Sequence, residues 1–169
     1  MDVFECIFGR RSVRSFLPED VKDEHLERII EAAIHAPSAG NLQSWEFYVL
    51  RSKEVKRKIA DAALGQRFIE EAPIVIVVCA NEEISSLRYG LRGKELYCIQ
   101  DTAAATQNIL LSAYALGYGS CWVGAFMEDE VSRILKTSPG VRPVAIIPIG
   151  KPAETPRKPP RRRPKVIYL

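Results

Sequence analysis

The chain has 169 residues, 47% hydrophobic and 27% charged, with a mean hydropathy of −0.07. These values describe one core-forming domain and exclude a disordered, collagen-like or coiled-coil chain. The net charge of +3 is uneven: residues 151–169 hold seven Lys or Arg against Glu154 alone, while the body before them carries more acids than bases.

No apolar run approaches the roughly 18 residues of a membrane helix. Met1-Asp2-Val3-Phe4-Glu5 lacks a basic stretch leading into an apolar one, so no signal peptide is expected and a cytoplasmic location is. In chain order, Val3, Phe4, Ile7 and Phe8 fall at helical spacing over Val3–Gly9. Arg10–Phe16 is basic and irregular. Val21–His35 places Leu26, Ile29, Ile30, Ala33 and Ile34 on one face, with Pro37 and Gly40 beyond its end.

Trp45–Leu50 is aromatic and β-branched, hence a strand. Ser52 caps a helix over Lys53–Leu64 that Gly65 ends. A short turn at Arg67–Glu71 leads into the strand Ile74–Ala80, and Glu82–Gly93 reads as a loop. Glu95–Leu116 is the longest periodic stretch, with small residues at Ala103–Ala105 and Gly117 as its stop. Gly119–Gly124 is expected as a strand, Glu128–Lys136 as a helix and Val144–Ile149 as the last strand. Beyond it, the prolines of 151–169 forbid regular packing, so the segment is an extended arm. Alternating helices and strands suggest a doubly wound parallel sheet. Against this, Gly117-Tyr-Gly119 follows a helix and enters a strand, the reverse of a dinucleotide-binding turn.

Cys6, Cys79, Cys98 and Cys121 form no CxxC, and only His25 and His35 are available to join them. Metal-ligand spacing is absent, and the four read as structural thiols in a reducing compartment. Three segments hold more polar chemistry than a core needs. Arg10-Arg11-Ser12-Val13-Arg14-Ser15-Phe16 is dense in anion donors, though alone it is equally a solvated basic loop. Ala36–Phe47 contains Asn41 and Gln43, whose amides can both donate and accept, among ordinary turn residues. Gly117–Phe126 has glycines at 119 and 124 that allow close backbone approach to a flat ligand, or mark a bulge.

In this order, RRSVRSF, APSAGNLQSWEF, DTAAATQNILLSAYALGYGSCWVGAF and IPIGKPAETPRKPPRRRP resemble the nitroreductase family of flavin-dependent oxidoreductases. The resemblance runs from Arg10 to the tail. It implies an α+β fold with a mixed, mostly antiparallel sheet between helices, in place of the parallel one. It further implies a single FMN-binding domain over 1–169, an intertwined homodimer with FMN at the subunit interface, and an arm over 151–169 that lies on the partner.

Residue by residue, Arg10, Arg11, Ser12 and Arg14 match the family's N-terminal flavin-binding segment, Arg10 at the phosphate and Arg14 near flavin N1 and O2. Pro37, Ser38, Asn41 and Gln43 match the loop reaching FMN from the other subunit, and Gln66 a further ring contact. Val123 and Gly124 match the strand end whose N–H groups face N5 and O4. Arg162 matches the late phosphate arginine, with Arg161 or Arg163 as one-residue slips. The implied activity is ping-pong transfer from NADH or NADPH through flavin N5 to a small acceptor such as a nitro compound or quinone. Neither a protein nucleophile nor a metal is needed.

Two departures stand out: Glu82–Gly93 leaves little room for a helical cover over the flavin, and Gln43-Ser44-Trp45 replaces Gln-Pro-Trp, a change expected to be neutral. Other readings are a specialised family enzyme (a dehalogenase, an azoline dehydrogenase or a flavin-destroying synthase) and a non-catalytic flavin-binding module. A nucleic-acid arm is disfavoured, because the tail offers only Tyr168 for stacking.

Overall fold

A strand that is apolar at every position belongs in the middle of a sheet covered on both faces. In the computed structural model, which describes residues 1–169, β2 (Ile74–Asn81) is that strand, buried from Ile74 to Ala80. Its neighbours are both antiparallel. β1 (Trp45–Leu50) sets Trp45 opposite Ala80, and β4 (Val141–Gly150) sets Ile149 opposite Ile74. The short β3 (Gly119–Ser120) pairs antiparallel with the far edge of β4, giving the order β1-β2-β4-β3. The doubly wound parallel sheet is therefore overturned, and the α+β, mostly antiparallel arrangement holds. Helix–strand alternation does not report strand direction, because the two helices between β1 and β2 return the chain to the end it left.

The pleat of the two central strands sorts the core. Ile76, Val78, Ala145 and Ile147 face Ile29 and Ala33 of α2 (Asp23–Ile34) and Ala105 and Ile109 of α6 (Cys98–Ala115). Val75, Val77, Cys79 and Ile146 face Ile59 of α3 (Lys53–Ala62), Ile69 of α4 (Phe68–Glu71) and Val131 of α7 (Glu128–Leu135). The small face of α6 admits α2 closely enough for the Asn108 side chain to donate to Ala32 O at 2.9 Å. α1 (Val3–Gly9) begins at an Asp2–Glu5 capping box, yet its apolar side, Val3, Phe4, Ile7 and Phe8, is exposed in the single chain.

Two elements differ from expectation. Glu82–Arg92 is a helix, α5, not a loop: Asn81 caps it by accepting from Ile84 N–H, and Glu82 and Glu83 sit in its first turn. Its Leu87 and Leu91 are exposed, so it lacks the buried stripe that periodicity detects. A π-turn at Gly93–Tyr97 then joins it to α6. The strand expected over Gly119–Gly124 survives only as Gly119–Ser120 and an isolated bridge between Val123 and Ile146. The ladder register puts Pro148 opposite Cys121. Pro148 accepts from Cys121 N–H at 3.3 Å but has no N–H to return.

Candidate functional site

Gly119 is required by its neighbour in the fold. A Cβ there would lie 2.7–2.9 Å from three carbons of Val13, so the glycine lets the Arg10–Arg14 segment lie against the strand. Val13 N–H donates to Ser120 O at 3.0 Å, and Ser12 bridges Ser120 in parallel. The same segment is then gripped from its other side by the start of the arm. Leu17 N–H donates to Lys151 O and Ala153 N–H to Ser15 O, both at 2.9 Å, while Arg14 N–H donates to the Glu154 carboxylate at 2.6 Å.

This double grip gathers Arg10, Arg11, Ser12 and Arg14 with Arg157 and Arg161 around a cavity of about 340 Å³ that has no hydrophobic residue in its wall. Burial, then repulsion from Arg11 and Arg161, pushes the Arg10 guanidinium below its ordinary pKa. The cavity wall carries no acid, the Glu154 carboxylate being bound to Arg14 N–H, and cations gathered around such a space gain from a bound anion. Arg11 is partly committed, since its guanidinium donates to Phe8 O and Arg10 O at the end of α1. Arg162 does not line the cavity; Arg161, one of the slips considered, does.

The strand end leading away from this cavity is also rearranged. Val123 N–H donates to Ile146 O at 2.9 Å and cannot face a ligand as well. Neither Gly124 nor Ala125 gives its N–H to a backbone acceptor. The amides of Gly124, Ala125 and Phe126 are open up to Met127, which donates to Ala62 O, so of the expected Val123 and Gly124 only Gly124 has a free N–H. Gly124 is exposed, and a Cβ on it would enter open space. Gln66 Nε2 donates to Ala63 O at 2.8 Å and to Ala125 O at 3.1 Å, fixing a carbonyl among the open amides.

Pro37, Ser38, Asn41 and Gln43 are absent from the arginine cavity. They form a turn of their own between α2 and β1, in which Gln43 N–H donates to Ser38 Oγ at 3.0 Å. Gly40, Asn41 and Gln43 all adopt left-handed φ, 59°, 56° and 51°. The residues missed from sequence are those that hold this turn. Asp101 accepts from Ala39 N–H through Oδ1 and from the Ser44 hydroxyl through Oδ2, each at 2.9 Å. An acid four residues before Ala105 and eight before Ile109, hence on the buried stripe of α6, was the available signal. Nor is Ser44 a neutral replacement for proline, being fully buried with its hydroxyl committed.

The sequence profile described as "Nitroreductase family" matches residues 7–67 and 64–151. An NADH dehydrogenase of Thermus thermophilus is 32% identical over 181 residues, covering 91% of this chain and 88% of its own. An NAD(P)H-type FMN reductase of Bacillus subtilis is 31% identical over 173 residues, with 95% and 70% covered. The solved structure of an FMN-dependent nitroreductase from Clostridium difficile superimposes with a TM-score of 0.81 at 28% identity, covering 94% of this chain and 92% of that one.

Proposed function

The chain belongs to the nitroreductase family, and from that premise we propose an FMN-dependent oxidoreductase that takes electrons from NADH or NADPH and passes them to a small acceptor, a nitro compound or quinone, the two substrates using one site in turn. The residues present fit FMN. The observation that carries the reading is the arginine cavity, with a half-buried guanidinium repelled by its neighbours, on a segment paired to Gly119–Ser120, a few residues before the open Gly124 and its free amide.

Arg10 and Arg161, with the Ser12 hydroxyl, would hold the phosphate by charge-assisted bonds. Arg14 would place a fixed cation where negative charge gathers on reduction. Gly124 and Ala125 N–H would donate to the ring edge, held in place by the Val123–Ile146 bridge and by Gln66. When bound, the flavin supplies the two-electron chemistry, which is why the chain needs no nucleophile of its own.

A second copy of the chain would bring Pro37, Ser38, Asn41 and Gln43 to the ring. The exposed apolar side of α1 and the exposed Val166–Leu169 tip of the arm support such a homodimer. None of the seven helices is long and apolar enough to cross a membrane, and four buried unpaired thiols favour a reducing, cytoplasmic setting.

The test is the visible spectrum of the purified protein under anaerobic conditions. A flavin spectrum bleached by NADH or NADPH is expected, with a dimer in sedimentation. A protein that stays colourless after incubation with FMN would overturn the reading.

A further inference from the structure

Asp101 is a carboxylate only 5% exposed, in the first turn of α6, whose bonded partners are an amide and a hydroxyl rather than a cation. Such a group is costly to bury unless both oxygens are satisfied. The only groups that satisfy it here belong to the turn before β1. Ala39 N–H and the Ser44 hydroxyl bracket Gly40, Asn41 and Gln43, the residues in left-handed backbone. That conformation is unfavourable for Asn and more so for Gln, so the turn needs an anchor at each end.

On its outer side the turn meets α5. A Cβ on Gly40 would lie 2.5 Å from the Tyr89 hydroxyl and 3.0 Å from the Arg88 guanidinium. Gly40 thus lets α5 lie close, with Arg88 Nη1 donating to Gly40 O at 3.5 Å, and on the inner side the turn is held to α6 by one carboxylate.

We infer that Asp101, acting through Ala39 N–H and the buried Ser44 hydroxyl, is the positioning residue that sets the turn carrying Asn41 and Gln43 in its ligand-facing conformation. The inference rests on the proposed role of that turn at the flavin. Ser44 is part of the device: a proline at this position would have no hydroxyl to give Oδ2.

The test compares Asp101→Ala, Asp101→Asn and Ser44→Ala in the full-length protein, read by amide hydrogen exchange without added ligand and by FMN titration after flavin removal. Asparagine keeps both bonds, because its Oδ1 accepts from Ala39 N–H while its Nδ2 donates to the Ser44 oxygen. Asp101→Ala should speed exchange over residues 38–43 at least tenfold, leave the β2 amides unchanged, and raise the Kd for FMN roughly tenfold or more. Asp101→Asn should stay near wild type, and Ser44→Ala should fall between.

Wild-type protection over 38–43 in Asp101→Ala would overturn the inference, as would equal loss in Asp101→Asn. If Asp101→Ala does not fold, Ser44→Ala decides: unchanged exchange over 38–43 counts against the inference and faster exchange supports it. Should wild type bind no FMN, the functional reading fails, while the exchange data still judge the anchor.

Discussion

The arginine segment and the amide turn are both irregular, polar and about the same length, yet they are held in opposite ways. The first is clamped by main chain on both sides, by Ser120 and by Lys151 and Ala153, and fits because Gly119 has no side chain. The second has no ladder along its length: beyond a Ser38 Oγ bond to Gln43 N–H and an Asn81 N–H bond to Ser44 O at its end, its three left-handed residues are tied down by one buried carboxylate. A segment held by backbone pairing tolerates changes in its own side chains, and is lost through whatever it lies against. A segment held mainly by side chains is the reverse. This difference decides which substitutions cost folding and which cost binding.

The largest effect should come from Gly119→Val, which forces a branched side chain into Val13. It should destabilise by about 3 kcal/mol in denaturant unfolding and detach the Arg10–Arg14 segment. Gly124→Val, five residues further on and in open space, should leave stability within about 0.5 kcal/mol while blocking flavin. Equal stability of the two variants would break the contrast.

Arg10→Ala should weaken FMN binding by about 1.5–3 kcal/mol by calorimetry. It should not lower the melting temperature, because the lost charge was repelled by Arg11 and Arg161. Arg161→Ala should weaken FMN binding more than Arg162→Ala, and the opposite order would return the phosphate role to Arg162.

Cys79, buried in the central strand β2, tests the sheet on which the fold rests. Burial pushes its thiol up to about 12, whereas the unfolded chain titrates near 9. The folded state therefore binds more protons in that interval. Its contribution is complete below about pH 9 and is lost as pH rises toward 12, at about 1.4 kcal/mol per pH unit. Unfolding in alkaline buffers should show this slope, and Cys79→Val should reduce it.

The smallest effect belongs to Glu128, which accepts two bonds from Arg142 at 2.7 and 2.9 Å. These bonds lower its pKa, so the pair contributes above the ordinary carboxylate range and fades on acidification. At half exposure Glu128→Gln should cost less than about 1 kcal/mol, and only at neutral pH.

How much could be read beforehand follows the same division. The central strands, α2, α3 and α6 were legible because burial writes itself into apolar spacing. α5 was not, since its leucines face outward, nor was the break in the third strand, which depends on a proline nearly thirty residues later. Within the site, the arginines and the open Gly124 were visible as residue types. The loss of the Val123 amide was not, because it is set by the isolated bridge to Ile146. Asp101 was hidden by distance, 62 positions from the amide it holds.

The strand order carries a consequence for how the chain is made. β2 finds β1 soon after it is synthesised, but its other edge waits for β4, the last regular element before the arm. Throughout that interval an unbroken apolar edge, Ile74 to Ala80, is exposed on a nascent polypeptide still attached to the ribosome. Such an edge is a template for intermolecular pairing. Chains truncated before Val141 should aggregate rather than fold, and slow synthesis between Asn81 and Val141 should lower the yield of active protein.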